Sequence, residues 1–130
     1  MNKEHIMKDK TKALIKKMEK ERGFAQPWRN YLAERDPEFM QLYHKTAMHV
    51  FHKKGVLPLK FKEMISICLD AFTFYERGFR IHVRNALKAG ATEQEIVEAL
   101  EVCTLMGIHN MSISLPALGE EVEKFKKDKR

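Results

Sequence analysis

Residues 82–96 read HVRNALKAGATEQEI, and the fold is decided here. The first half continues an apolar spacing through Phe79, Val83, Ala86 and Leu87, the three-and-four rhythm of one helical face. Ala89-Gly90 then supplies a stop, because glycine takes the left-handed conformation that closes a helix. Thr92-Glu93-Gln94-Glu95 reads as a capping box: the threonine hydroxyl accepts from the backbone three residues on, and the glutamate reaches back. One helix ends and another begins almost at once. The sequence shows no convincing strand and no internal repeat.

Working outward, Ile96, Ala99, Leu100, Cys103 and Gly107 form the inward face of the helix that the box opens. A last helix is expected from about Ser114, with Pro116 in its first turn and Leu118, Val122 and Phe125 turned inward. Upstream, Phe61, Met64, Ile65, Cys68, Leu69 and Phe72 share one face of a core helix that starts at Leu59. Asp36-Pro37 opens another, since aspartate caps free N–H groups and proline in the first position gives up no bond. Phe39, Tyr43, Ala47 and Val50 are its expected inward residues before Gly55 and Pro58. Residues 3–22, with Ile6, Met7, Leu14, Ile15 and Met18, read as an amphipathic helix closed by Gly23. Between them Phe24, Pro27, Trp28 and Tyr31 suggest a connector with a short helical piece, pinned by Trp28.

Length and composition bound the function. The chain has 130 residues, 44% hydrophobic and 32% charged, with six Gly and four Pro, which fits one folded domain with a single core and excludes a disordered or collagen-like polymer. No apolar run approaches the roughly 20 residues of a membrane span, and MNKEHIMKDK lacks the apolar stretch of a secretory signal. A cytoplasmic protein without a membrane partner is expected. The net charge of +6 sits mostly at the ends, +4 over residues 1–22 and +1 over 120–130, so the body is nearly neutral. Lysine-rich ends of this kind are solubilising faces, and no nucleic-acid partner is expected.

Cys68 and Cys103 are too far apart in sequence for a CxxC motif and read as reduced, buried residues. The histidines at 44, 49 and 52 lack the spacing of a metal site, and neither a phosphate loop nor a serine nucleophile elbow is present, so no metal and no cofactor are expected. His82 stands apart, because it falls on or beside a buried face. Glu63 borders the same apolar stripe upstream, and a carboxylate with an imidazole near one apolar interior is the pair that acid–base chemistry at neutral pH requires. On one straight helix the two would stand about 28 Å apart, at about 1.5 Å per residue. A bend between Thr73 and Gly78 is therefore expected, Gly78 being a poor interior helix residue.

The segments KFKE (60–63), YERG (75–78) and HVRNALKAGATEQEI (82–96) resemble the carboxymuconolactone decarboxylase family, which includes the alkylhydroperoxidase D-like proteins. The likeness runs from about residue 38 to 126 and implies an all-α helical bundle, oligomeric as trimer or hexamer. The whole chain, 1–130, is then one domain, with 1–23 as an amphipathic helix or oligomerisation arm and 36–127 as the family core. In the peroxidase branch a glutamate, a CxxC pair and a histidine four residues beyond it carry the chemistry. Glu63 and His82 match the outer two, whereas Tyr75 and Gly78 stand where the cysteines would, and neither can attack or resolve a peroxide. Gly107, Asn110, Leu115 and Pro116 resemble a pattern of the decarboxylase branch. The resemblance therefore implies a cofactor-free lyase acting on a small anionic lactone or related acid, ahead of a thiol peroxidase or a non-catalytic binding protein. His82, Glu63 and Tyr75 are the expected catalytic groups, and Arg80, Arg84, His109 and Asn110 the expected substrate contacts.

Overall fold

A computed structural model describes residues 3–24 and 26–128. Every regular element in them is helical, and the chain divides into two compact units, Met1–Lys54 and Gly55–Arg130. Each has an apolar centre of its own, where the sequence reads as a single core.

The first unit holds α1 (Lys3–Arg22), α2 (Pro27–Arg35) and α3 (Pro37–His52). Gly23, at φ +78°, ends α1 as expected. Asp36 caps α3 through Oδ1, which accepts from the Phe39 N–H at 2.9 Å, and Pro37 takes the first turn. Met18, Ala33 and Met40 form the centre, with Leu14, Ile15 and Leu32 packed around them. The side chains of Ile6 and Met7 lie outside the described residues. The inward face of α3 differs from the expected one: Met40 and His44 are buried, while Phe39, Tyr43 and Val50 are exposed. α3 carries apolar residues on two stripes, and α1 and α2 cover the one through Met40. Trp28 is an anchor as expected, its ring edge-on to Tyr43 at 5.9 Å and the Arg29 guanidinium 4.9 Å from its centroid.

The second unit holds α4 (Leu59–Phe72), α5 (Glu76–Lys88), α6 (Glu93–Gly107), a 3₁₀ turn (Ile108–Asn110) and α7 (Met111–Asp128). Ile67, Ala86, Ala91 and Ile96 are its buried centre, with Met64, Phe79, Val83 and Leu100 against them. The capping box is complete: the Glu95 N–H donates to Thr92 Oγ1 at 3.1 Å, and the Thr92 N–H to Glu95 Oε2 at 2.8 Å. Lys60 Nζ reaches Glu95 Oε1 at 2.8 Å, tying the start of α4 to the start of α6, and that bond holds the Glu95 carboxyl below its usual range. On α4 the buried positions are Glu63 and Ile67, whereas Phe61, Ile65, Leu69 and Phe72 of the expected stripe are exposed.

α7 departs furthest from expectation. It begins at Met111, because the 3₁₀ turn carries α6 straight into it, so Pro116 lies inside the helix and Leu118, Val122 and Phe125 are exposed. No residue of α7 is buried. Glu93–Asp128 is thus one helical stretch, and residues 102–119 within it contain no Asp, Glu, Lys or Arg. By length and composition it could cross a bilayer, which corrects the expectation that no run came near that length.

Candidate functional site

The bend that the separation of Glu63 and His82 demands is present. α4 ends in a reversal at Thr73–Tyr75: the Tyr75 N–H donates to Asp70 O at 2.8 Å and the Phe74 N–H to Ala71 O at 3.2 Å. α5 ends on the same pair of bonds, Ala91 N–H to Ala86 O and Gly90 N–H to Leu87 O. The residue that must turn left-handed is Gly90 in the second case, at φ +92°, and Phe74 in the first, at φ +57°. A bulky residue there costs about 1–2 kcal/mol, so the α4–α5 reversal holds local strain that the α5–α6 turn avoids. Gly78 is not the hinge it was expected to be, since it sits buried inside α5.

The reversal lays α5 against α4 and joins the expected pair. His82 Nδ1 lies 2.6 Å from Glu63 Oε2, with the Glu63 side chain 6% and the His82 side chain 18% exposed. At that distance the carboxylate accepts the Nδ1 proton, fixes the ring and directs Nε2 away from itself. Nε2 faces a group that sequence reasoning missed: Asp70 Oδ2, 3.9 Å away. This oxygen is buried without a hydrogen-bond partner, and burial raises the Asp70 carboxyl above its usual range while the His82 charge opposes that rise. The signal that could have found it is its spacing, seven residues and so two helical turns beyond Glu63 on α4.

Gly78 makes the arrangement possible. A methyl group there would stand 2.3 Å from Asp70 Oδ2 and 2.5 Å from the Tyr75 ring, so both side chains occupy the space a larger residue would fill. Tyr75, at the head of α5, is thereby brought beside the Asp70 carboxylate, with its own side partly open to solvent.

The expected substrate contacts are not gathered here. Arg80 lies on the exposed side of α5, paired with Glu76 Oε1 at 2.6 Å through Nη2, and Arg84 is exposed one turn further on. His109 and Asn110 sit on the exposed 3₁₀ turn. Asn110 borders an open groove of about 420 Å³ whose walls include Phe72, Phe74, Leu100, Cys103 and Gly107. Cys68 and Cys103 are half-buried free thiols on facing helices, the Cys103 S–H 3.4 Å from Cys68 O. Burial, and then the neighbouring Cys103, push the Cys68 thiol up, which keeps thiolate scarce at neutral pH. Among the described residues no three His, Cys, Asp or Glu are grouped to hold a metal ion.

A second buried imidazole lies in the first unit. His44, 3% exposed, has Nε2 2.5 Å from Glu21 Oε2, and its Nδ1 is buried without a partner. The bond to His44 lowers the Glu21 carboxyl.

Residues 37–109 match the carboxymuconolactone decarboxylase family. That span is more than half of the chain and contains Glu63, Asp70, Gly78 and His82. The chain belongs to this family. Two solved structures from Burkholderia xenovorans LB400 agree with the assignment. One, with the provisional name of a gamma-carboxymuconolactone decarboxylase subunit, is 31% identical over 88% of this chain, with a TM-score of 0.64. The other, provisionally named a carboxymuconolactone decarboxylase, is 25% identical, covers 95% of this chain and 98% of its own, and has a TM-score of 0.67. This carboxymuconolactone decarboxylase-family chain spans 46% of the first relative, about half its length. No curated protein matches it. The family supplies an all-α bundle, and the buried carboxylate–imidazole pairs are consistent with acid–base catalysis within it.

Proposed function

We propose that this protein is a cofactor-free lyase that removes CO₂ from a small carboxylated lactone or a related acid. The observation that carries the reading is the 2.6 Å contact between buried Glu63 and His82 at the α4–α5 reversal. When the bond to the carboxylate breaks, its electron pair passes into the lactone as an enolate, and a proton must then be delivered to carbon. His82 moves that proton, Glu63 orients the ring and balances its charge, and Tyr75 is a second donor at the rim. Arg80 and Arg84, and His109 with Asn110 on the 3₁₀ turn, are proposed to meet the anionic substrate in the assembled oligomer.

Incubation of the purified protein with γ-carboxymuconolactone, with released CO₂ followed directly, tests the reading. Wild type turns the lactone over, and Glu63→Gln slows it by about tenfold or more while the protein stays helical. Absence of CO₂ from the wild-type protein refutes the assignment. A thiol peroxidase is the second reading, favoured only by the proximity of Cys68 and Cys103. It requires peroxide consumption with a dithiol reductant that disappears in Cys68→Ser and Cys103→Ser, and the raised Cys68 thiol argues against that result.

We further propose a homo-oligomer, trimer or hexamer, soluble in the cytoplasm and without a nucleic-acid or membrane partner. The support is α7, whose Ile113, Leu115, Leu118 and Phe125 are all more than half exposed and are the apolar area that copies of the chain would cover. Light scattering reads the subunit number. Cell fractionation separates a soluble oligomer from a protein held in a bilayer by residues 93–128.

A further inference from the structure

Cys68 on α4 and Cys103 on α6 take no part in the chemistry proposed for Glu63 and His82, yet the fold sets them against each other. The Cys103 S–H donates to Cys68 O at 3.4 Å and the Cys68 S–H to Ala99 O at 3.6 Å, so each thiol reaches the backbone of the facing helix. The two side chains also lie within hydrogen-bonding reach of one another. The core holds this arrangement in place. Ile67, next to Cys68, packs with Ile96 of α6 in the buried centre, and the Lys60–Glu95 bond joins the starts of the same two helices. Access is provided on one side, because Cys103 stands in the wall of the open groove of about 420 Å³ beside Phe72, Phe74 and Gly107.

We propose that Cys68 and Cys103 are a redox couple, oxidised by a small organic disulfide in the groove to an intrachain bond that ties α4 to α6, and reduced again by thiols. The couple is separate from the CxxC positions of the thiol branch, which hold Tyr75 and Gly78 here, and it does not depend on the lyase reading. With oxidised glutathione as the reagent, the Cys103 thiolate attacks one of its sulfurs, the S–S bond breaks, and one reduced glutathione leaves. Cys68 then gives up its proton and attacks the Cys103 sulfur, expelling the second glutathione. The two cysteines lose two electrons and two protons, and the reagent becomes two thiols. The second step is the slower one at neutral pH, since burial first and Cys103 next keep Cys68 protonated. The segment that the bond closes, residues 68–103, contains Asp70, Tyr75 and His82, so oxidation clamps the α4–α5 reversal from both sides. Bonds of this kind in a reducing compartment are transient and serve to sense redox state.

The test treats the folded full-length protein with oxidised glutathione at about pH 8, where thiolate is available, and reads the products by mass spectrometry. The expected wild-type product has lost two hydrogens, retains no glutathione, and yields a non-reduced peptide pair joined through Cys68 and Cys103; dithiothreitol restores the starting mass. Cys68→Ser stops at a mixed disulfide with one glutathione on Cys103. Cys103→Ser reacts about tenfold or more slowly, because its remaining thiol is the one that burial keeps protonated. Amide hydrogen exchange in α4 and α6 slows in the oxidised wild-type protein and returns to the original rate on reduction. Wild-type protein that keeps glutathione on Cys103 without the Cys68–Cys103 link, or that forms disulfides only between chains, overturns the proposal. So does Cys103→Ser reacting at the wild-type rate, or exchange in α4 and α6 that the bond leaves unchanged.

Discussion

Two imidazoles in this chain are held by glutamate at nearly the same distance, 2.5 Å for His44–Glu21 and 2.6 Å for His82–Glu63. What separates them is the other ring nitrogen. His44 Nδ1 ends in the interior of the first unit with no hydrogen-bond partner, while the Glu21 carboxylate on its other nitrogen is about one third exposed, at 36%. His82 Nε2 points at a second buried carboxyl across a 3.9 Å gap, in a side chain that solvent still reaches. The first ring lies closed in the interior of its unit; the second lies beside a further carboxyl, and it is the one to which the proposed chemistry is assigned. The pair distance alone does not mark a site, and the surroundings of the second nitrogen do.

The largest expected effect comes from truncating each ring. His82→Ala lowers lactone turnover by about 10²–10⁴-fold, as expected for loss of a general acid–base, with a comparatively small loss of stability. His44→Ala does the reverse, costing about 2–4 kcal/mol by leaving a cavity in the first unit while the specific activity of the folded fraction is kept. Denaturant unfolding and CO₂ release on the same two samples measure both. Next come the carboxylates, which should affect stability with opposite signs. Glu21 is lowered in the folded chain, so it stabilises above its unfolded value near 4.5, and that stability is lost as pH falls through the folded value. Glu21→Gln should therefore melt lower at pH 7, with the gap closing in acid. Asp70 is raised, so its destabilisation builds as pH rises from its unfolded value near 3.8 and is complete above the folded value. Asp70→Asn should melt higher at pH 7 and lose that gain as pH falls toward the unfolded value near 3.8. Thermal melts from pH 3 to 7 read both slopes.

How much of this was legible in the sequence depends on whether the cause is local. Helix ends were readable wherever a cap residue sets them: Asp36-Pro37, Gly23, Gly90 and the Thr92–Glu95 box all act over three or four residues. Glu63 and His82 were readable as a pair because their residue types and the need for a bend between them constrain each other. Inward faces were less legible. α3 and α4 each carry two apolar stripes, and periodicity does not say which one the chain itself covers; Phe39, Tyr43, Phe61 and Leu69 are exposed for that reason. α7 shows the same ambiguity in full, since none of its residues is buried by its own chain. Asp70 carried one local signal, its place two turns beyond Glu63, but its packing was illegible because it depends on an absence eight residues away, the side chain that Gly78 lacks. Phe74 was illegible because nothing in its type signals a left-handed backbone.

Smaller effects sharpen the contrast between the two turns of the second unit. Thr92→Ala removes half of the capping box and should cost about 1 kcal/mol, read by denaturant unfolding. Phe74→Gly relieves a strained φ of +57° and should stabilise by a few tenths to about 1 kcal/mol, the glycine's greater freedom in the unfolded chain offsetting part of the gain. Gly90→Ala, placed at φ +92° in the equivalent position of the next turn, should destabilise instead.

The most direct test sets the two imidazoles against each other in one assay. CO₂ release from γ-carboxymuconolactone is measured for wild type, His44→Ala and His82→Ala, each at a temperature where circular dichroism shows it folded. The account expects turnover per folded molecule to be equal in the first two and about 10²–10⁴-fold lower in the third. Wild-type turnover in His82→Ala, or its loss in His44→Ala alone, would contradict the placement of the chemistry at the α4–α5 reversal.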